Sequence, residues 1–153
     1  MPTNNLFLMN FPEGWKETTV YTFEGPNDGG VQHNLAIVIH PKTEEEYDLN
    51  GFVKSEIENG LSALPGFELI SEQNTAIADG TPGYQVIYKY APSDEKEIYQ
   101  KQLFINAKKA IIIAASTFSK KTLQTLAMEA DSILSTIRLV DSEKVNRFLE
   151  QYR

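Results

Sequence analysis

The second half of the chain consists mainly of stretches in which apolar and polar residues alternate, and this pattern restricts the fold more than any other. Such alternation is typical of β-strands that bury one face. Four stretches follow one another along the chain: residues 67–77, 84–90, 98–106 and 109–118. Their connections are of hairpin length, whereas parallel neighbours need crossovers of about a dozen residues or more. This half therefore predicts an antiparallel meander.

A helical pattern precedes these strands. Apolar residues recur at spacings of four, four and three, as expected for one face of an α-helix, at Val53, Ile57, Leu61 and Leu64. Asp48 is a candidate N-cap, and Thr43 with Glu46 offers an earlier capping-box start. Pro65 and Gly66 predict the end of the helix, because proline disrupts helical geometry and glycine tolerates a left-handed backbone.

A second helical pattern follows the strands. Its apolar stripe has almost unbroken helical spacing and consists of Leu123, Leu126, Ala127, Ala130, Ile133, Leu134 and Ile137. Ser119 is the candidate N-cap. Residues 141–153 also carry apolar residues at helical spacing. This tail is predicted to be a short helix that either docks on the domain or contacts another subunit.

The first forty residues predict further strands. Residues 5–9, 18–23 and 35–39 are rich in strand-forming residues, and the Gly- and Pro-containing segment 25–30 is predicted to be a turn. The predicted fold class is α+β, with an antiparallel sheet of six or seven strands and two helices packed on one face, in the order βββ-α-ββββ-α. Residues 1–140 would form a single domain, followed by the C-terminal helical tail 141–153.

The charge and composition argue against several classes of partner. The formal net charge is −7, so a polyanion such as nucleic acid is not expected to bind. The chain has no cysteine, which leaves no disulfide and no thiolate metal site. The N-terminal segment lacks the features of a secretory signal, and the longest apolar stretch, Ala110–Ala115, is too short to span a membrane. We therefore expect a cytoplasmic protein without direct membrane insertion.

The sequence offers little from which to build a catalytic site. His33 and His40 are seven residues apart and have opposite parity in an extended strand, so they are predicted to point to opposite faces. Two such side chains are not expected to share a metal ion. None of the familiar phosphate-loop, serine-elbow or zinc-helix motifs occurs. These observations predict no enzymatic activity, no cofactor and no metal site.

Polar residues within one predicted strand are more informative. Gln100, Gln102 and Phe104 share one face of that strand by parity. Two interpretations are open. The glutamines could occupy a partly exposed surface, or they could supply a donor and an acceptor on a face that binds polar groups of a partner.

Several short segments of the chain resemble the DcrB-like domain family, whose fold is similar to that of Mog1 and PsbP. These segments are residues 11–15 (FPEGW), 56–59, 64–67 and 101–105, together with the last helix. Within that family the chain is most similar to the Eag chaperones, which are effector-associated proteins of type VI secretion. The resemblance spans about residues 6–139.

The resemblance implies a homodimer whose sheet shields apolar, transmembrane-type helices near the N-terminus of a secreted effector. Carried over by position, the partner-binding residues are Val20, Thr22, Val38, Glu56 and Gln102, and parity adds Phe104 to the same face. Thr22 stands where the family pattern has an aliphatic residue, and Glu56 where it has a glutamine. The alternative hypothesis is a scaffold or assembly module that binds a folded protein partner, because fold alone does not fix function.

Overall fold

The computed structural model describes residues 10–15, 20–28, 31–42 and 48–140. These residues form one six-stranded antiparallel sheet and two α-helices. The strands are β1 (Val20–Asp28), β2 (Val31–Pro41), β3 (Glu68–Ala76), β4 (Pro82–Ser93), β5 (Lys96–Asn106) and β6 (Ala110–Phe118). The predicted strand 5–9 and the predicted tail 141–153 lie outside the described residues.

The sheet confirms the predicted antiparallel meander. Strands β3, β4 and β5 each pair with the next strand in the chain. Strand β2 pairs with β1 and with β6, which gives the spatial order β1-β2-β6-β5-β4-β3. Strands β1 and β3 are therefore the two edges of this sheet. The α+β class and the succession of strands and helices within the described residues are as predicted.

Residues 25–28 of the turn predicted over residues 25–30 belong to a strand in the structure, and residues 29 and 30 lie outside the described part of the chain. Strand β1 continues through Gly25 and Pro26 to Asp28, and its register with β2 shifts between Glu24 and Asn27. The prediction failed because Pro and Gly also suit an irregular edge strand. Proline lacks a donor for the ladder, so it is tolerated at a bulge or on an edge.

Helix α1 (Leu49–Asn59) begins where one of the two alternatives placed it. The Asp48 side chain accepts a hydrogen bond from the backbone N–H of Gly51 at 3.1 Å, as an N-cap does. The alternative start at Thr43 and Glu46 falls on residues outside the described part of the chain. A short 3-10 turn, Leu61–Ala63, follows the helix.

Helix α2 (Leu126–Leu134) is shorter than its apolar stripe predicted. Ser119 caps a separate 3-10 turn, Lys120–Thr122, rather than the α-helix. In that turn the backbone N–H of Ser119 donates to Thr122 Oγ1 at 3.0 Å. Thr122 is buried, and its hydroxyl satisfies the backbone N–H of Ser119 as the N3 residue of a capping box does.

The two helices lie on opposite faces of the sheet, so the prediction that both pack on one face is wrong. Helix α1 packs with Phe104, and the residues beneath α2 include Leu103 and Ile105. These three residues are consecutive in β5 and all are buried. Because neighbouring residues of a strand point to opposite faces, β5 is apolar on both sides. Each face therefore needs its own cover, which produces three layers.

A single carboxylate connects the segment after α2 to the β3–β4 hairpin. Asp79 Oδ1 accepts from the hydroxyl of Thr81 at 2.6 Å and from its backbone N–H at 3.0 Å, and Asp79 Oδ2 accepts from the backbone N–H of Leu139 at 2.9 Å. These donors, the Thr81 hydroxyl first, lower the pKa of Asp79 from 3.8 to about 2. The ionised Asp79 carboxylate therefore stabilises the contact between the backbone at Leu139 and the β3–β4 hairpin.

We predict that Asp79→Asn lowers the melting temperature at neutral pH and that this difference disappears in acid. A depressed pKa contributes stability above the ordinary value of 3.8, and that stability is lost as the pH falls through about 2. Thermal unfolding of both proteins between pH 2 and pH 7 measures the effect. Thr81→Val removes only the strongest donor and should give a smaller loss over the same window. A difference that persists unchanged to pH 2 would contradict this account.

Candidate binding face

Helix α1 covers only part of its face of the sheet. It packs over β4, β5 and the start of β6, where Val86, Phe104 and Ile111 are fully buried. On the same face, β1 and the outer part of β2 have no helix above them among the described residues. Val20 is 50% exposed and Val38 is 36% exposed there. One half of this face is thus shielded and the other half is open.

We define the open half-face by the residues of β1, β2, β6 and β5 that point to the α1 side at or beyond the border of the apolar cluster under α1, against which Ile113 still packs. They are Val20, Thr22, Ala36, Val38, Ile113, Ala115, Thr117 and Gln102. Cross-strand pairing shows that they share a face, since directly opposed residues of antiparallel strands point the same way.

The strand registers arrange this surface in parallel rows that cross the strands. The first row is aliphatic and runs Val20, Val38, Ile113. The second is small and runs Thr22, Ala36, Ala115, ending at Gln102. The third is polar; it contains Thr117 and continues outside the defined surface to Glu24, Asn34 and Gln100. Small side chains between an aliphatic and a polar row allow a rod-shaped partner to approach the sheet closely.

Four of the six predicted partner-binding residues lie together on the open half-face. Val20, Thr22 and Val38 are exposed and Gln102 is half-buried. Since each of the four is placed by the register of its strand, the structure brings into one surface residues that are up to 82 positions apart in the sequence. What this surface contacts remains a prediction.

The other two predicted residues lie elsewhere. Glu56 is exposed on α1, one turn after Phe52, which contacts the His40 ring at a centroid distance of 5.3 Å. Glu56 therefore sits at the border of the open half-face. Phe104 has no exposed surface and packs edge-on against Phe52 at 6.2 Å. Its assignment as a direct partner contact is wrong, because the parity that places it on this face also places it beneath α1.

A chain of hydrogen bonds crosses the sheet at the border between the covered and open halves. Gln102 Nε2 donates to the Tyr88 hydroxyl at 3.0 Å, and the Tyr88 hydroxyl donates to Gln100 Oε1. Gln100 Nε2 donates in turn to Thr117 Oγ1 at 3.1 Å. Burial raises the pKa of Tyr88 to about 12, against the opposing effect of the bond from Gln102. The hydroxyl therefore keeps its proton at any physiological pH.

Sequence reasoning did not single out four residues of this surface, Ala36, Ile113, Ala115 and Thr117. It also assigned no role to Tyr88, which lies beside them under α1. Parity predicts which residues of one strand share a face. It cannot show which residues of different strands lie side by side unless the register between those strands is known. The β2–β6 pairing that joins Ala36 to Ala115 links residues far apart in the chain, and no local pattern encodes it.

The two histidines are on opposite faces, as predicted. His33 is buried on the α2 side, where its Nδ1 and Nε2 lie 2.7 Å from Pro26 O and Thr122 Oγ1 respectively. His40 is exposed on the α1 side against Phe52. His33 thereby links β1 and β2 to the turn that precedes α2.

Two negative findings apply to the part of the chain that the structure describes. No group of three or more His, Asp or Glu side chains is placed so that it could hold a metal ion. No described helix has both the length and the apolar character needed to cross a lipid bilayer.

Comparisons with known proteins identify a family and a shared fold. A family model described as DcrB matches residues 8–136. The structure is similar to that of PA94 from Pseudomonas aeruginosa, described as a protein of unknown function and a candidate regulator, with 19% identity and a TM-score of 0.72 over 86% of this chain and 90% of that one.

A second similar structure is LpqN, described as involved in cell envelope biogenesis of Mycobacterium tuberculosis. It has 16% identity and a TM-score of 0.50 over 74% of this chain and 65% of that one. At these identities both structures share the fold, and their roles are not carried over. A comparison with curated proteins found no match.

Proposed function

The chain belongs to the DcrB family, and from that premise we propose that it is a non-catalytic chaperone that binds apolar helices on its open half-face. More specifically, we propose that it acts in the cytoplasm and shields the apolar N-terminal helices of a type VI secretion effector before export. The single observation that carries this proposal is the exposed, partly apolar half of a sheet face whose other half is covered by α1.

The dimensions of the open half-face suit a helix. The rows cross the strands, and residues rise about 3.4 Å along an antiparallel strand, so the aliphatic and polar rows, four residues apart, are separated by roughly 14 Å. An α-helix with its side chains is about 10 Å across. One helix can therefore lie on the row of small residues, with Val20 and Val38 on one side of it and Thr117 on the other.

The physical need for such a chaperone follows from its client. A helix apolar enough to enter a membrane aggregates in water unless its surface is covered. On the open half-face, the side chains of Val20, Val38 and Ile113 can cover the apolar surface of such a helix. Gln102 supplies hydrogen-bonding groups for the polar atoms of the helix.

We also propose that the active form is a homodimer joined along β1. This edge strand exposes apolar side chains on both faces, Val20 on the α1 side and Tyr21 and Phe23 on the α2 side. An edge of this kind is a site for pairing with another strand. The occupant is a second copy, because the open half-face has α1 as a wall on one side only. Two copies joined at β1 would form one surface walled by both α1 helices.

We predict that light scattering gives a mass of about twice the 17.2 kDa of one chain. Phe23→Lys should give the single-chain mass, because a charge on each copy at the joint is repulsive. Leu69→Lys is the matched control, since Leu69 is an exposed apolar residue on the opposite edge strand, β3. If Phe23→Lys remains a dimer and Leu69→Lys becomes a monomer, the subunits are joined along β3, which contradicts the proposed β1 interface.

The binding role is tested with a defined probe. The probe is a soluble carrier protein with an N-terminal segment of about 20 Leu and Ala residues and one central Ser, which is long enough to span a membrane. Co-expression with this chain should keep the carrier in solution and the two should co-purify. The alternative role, a scaffold for a folded partner, is favoured if the chain captures a folded soluble protein and never the probe.

We predict that Gln102→Ala and Gln102→Leu both weaken probe binding by about 1 to 3 kcal/mol, because a buried polar group of the helix loses its partner. Isothermal titration measures the affinity. Gln73→Ala, an exposed glutamine on β3 that points to the α2 side, is the control and should bind as the wild type does. Wild-type affinity in both Gln102 variants would show that the open half-face is not the binding surface.

A further inference from the structure

We propose that Tyr88 is a positioning residue, which holds the Gln102 carboxamide so that its carbonyl oxygen faces a bound helix. This inference rests on the proposed function and deepens it. It assigns the preferred client as an apolar helix that presents a hydroxyl or carboxamide side chain, from Ser, Thr, Asn or Gln, to the floor of the open half-face.

The placement of Tyr88 allows it to act on Gln102 without touching a partner. Tyr88 is 1% exposed, beneath the layer formed by α1 and Phe67. It pairs directly with Gln100 across β4 and β5, and its hydroxyl reaches diagonally to Gln102. Gln102 itself is half-buried, at the border where the cover of α1 ends.

The direction of the hydrogen bonds follows from the single proton of the Tyr88 hydroxyl. A phenol donates one hydrogen bond and accepts others through its oxygen. Here the proton goes to Gln100 Oε1, so the Tyr88 oxygen is left to accept from Gln102 Nε2. The nitrogen and oxygen of a carboxamide diverge from one carbon. With Nε2 held by Tyr88, Gln102 Oε1 is turned away from Tyr88.

The other end of the chain of bonds also reaches the open half-face. Gln100 Nε2 donates to Thr117 Oγ1, which leaves the Thr117 proton available for a further acceptor. Thr117 and Gln102 belong to adjacent rows, and both are half-buried. The floor therefore offers an acceptor at Gln102 and a donor at Thr117. A side-chain hydroxyl or carboxamide, which both donates and accepts, matches this pair.

The surroundings make the orientation important. Ala36, Ala115 and Ile113 border these groups, so little water would remain beneath a bound helix. Without the Tyr88 hydroxyl, the Gln102 carboxamide could present either end, and fixing it on binding would weaken the complex. The distinctive consequence is loss of discrimination between helices with and without a polar side chain.

The test compares two carriers that differ in one residue, with either Ser or Ala at the centre of the Leu–Ala segment. Wild type should bind the Ser carrier about five- to tenfold more tightly than the Ala carrier, as one added hydrogen bond predicts. Tyr88→Phe should bring the two affinities within about twofold while the Ala carrier binds nearly as before. Tyr99→Phe, which removes a hydroxyl from a buried tyrosine on the opposite face, should keep the preference.

Comparing two carriers within each variant cancels any loss of folded protein, so a structural defect alone cannot mimic the expected result. Two outcomes overturn the inference and leave the proposed function standing. They are equal wild-type binding of the two carriers, and an intact Ser preference in Tyr88→Phe, whether or not both carriers bind more weakly. If wild type binds neither carrier, the proposed function fails, and this inference fails with it.

Discussion

The apolar character of β5 on both of its faces is the constraint on which the rest of the structure depends. Leu103, Phe104 and Ile105 are all buried, so a helix is needed above and below the sheet. Six strands at about 4.8 Å make a sheet roughly 29 Å wide, whereas one helix is about 10 Å across. One helix on each face cannot cover it. Helix α1 protects the β4–β5 side, and no helix among residues 10–15, 20–28, 31–42 and 48–140 covers the β1–β2 side.

This partial cover creates two environments within a few ångströms. Under α1, Tyr88 is shielded from solvent and its hydroxyl stays protonated. That hydroxyl is hydrogen-bonded to Gln100 and Gln102. At the edge of the cover, Gln102 retains contact with the surface. A polar group held from the buried side and presented on the exposed side combines a fixed geometry with access. The open half-face is thus more than an apolar patch, because its boundary carries an oriented hydrogen-bonding pair.

Local patterns in the sequence predicted most of the fold. The period-two stretches gave β3 to β6, and Asp48 correctly marked the start of α1. The failures came from distant contacts. The apolar stripes of the two helices do not specify which face of the sheet each helix covers. The burial of consecutive residues in β5 shows that the helices cover opposite faces. Parity likewise grouped Gln102 with Phe104, but only the position of α1 separates a border residue from a core residue.

The most direct test of the central claim, that the open half-face receives the helix, is site-specific labelling. The chain has no cysteine, so Thr22→Cys and Gln73→Cys each provide one reactive thiol, on the α1 side and the α2 side respectively. Maleimide labelling rates are measured with and without the Leu–Ala carrier that contains the central Ser. We predict that the carrier slows labelling at position 22 and leaves position 73 unchanged. Protection of position 73 alone, or of neither position in a complex shown to form, would contradict the account.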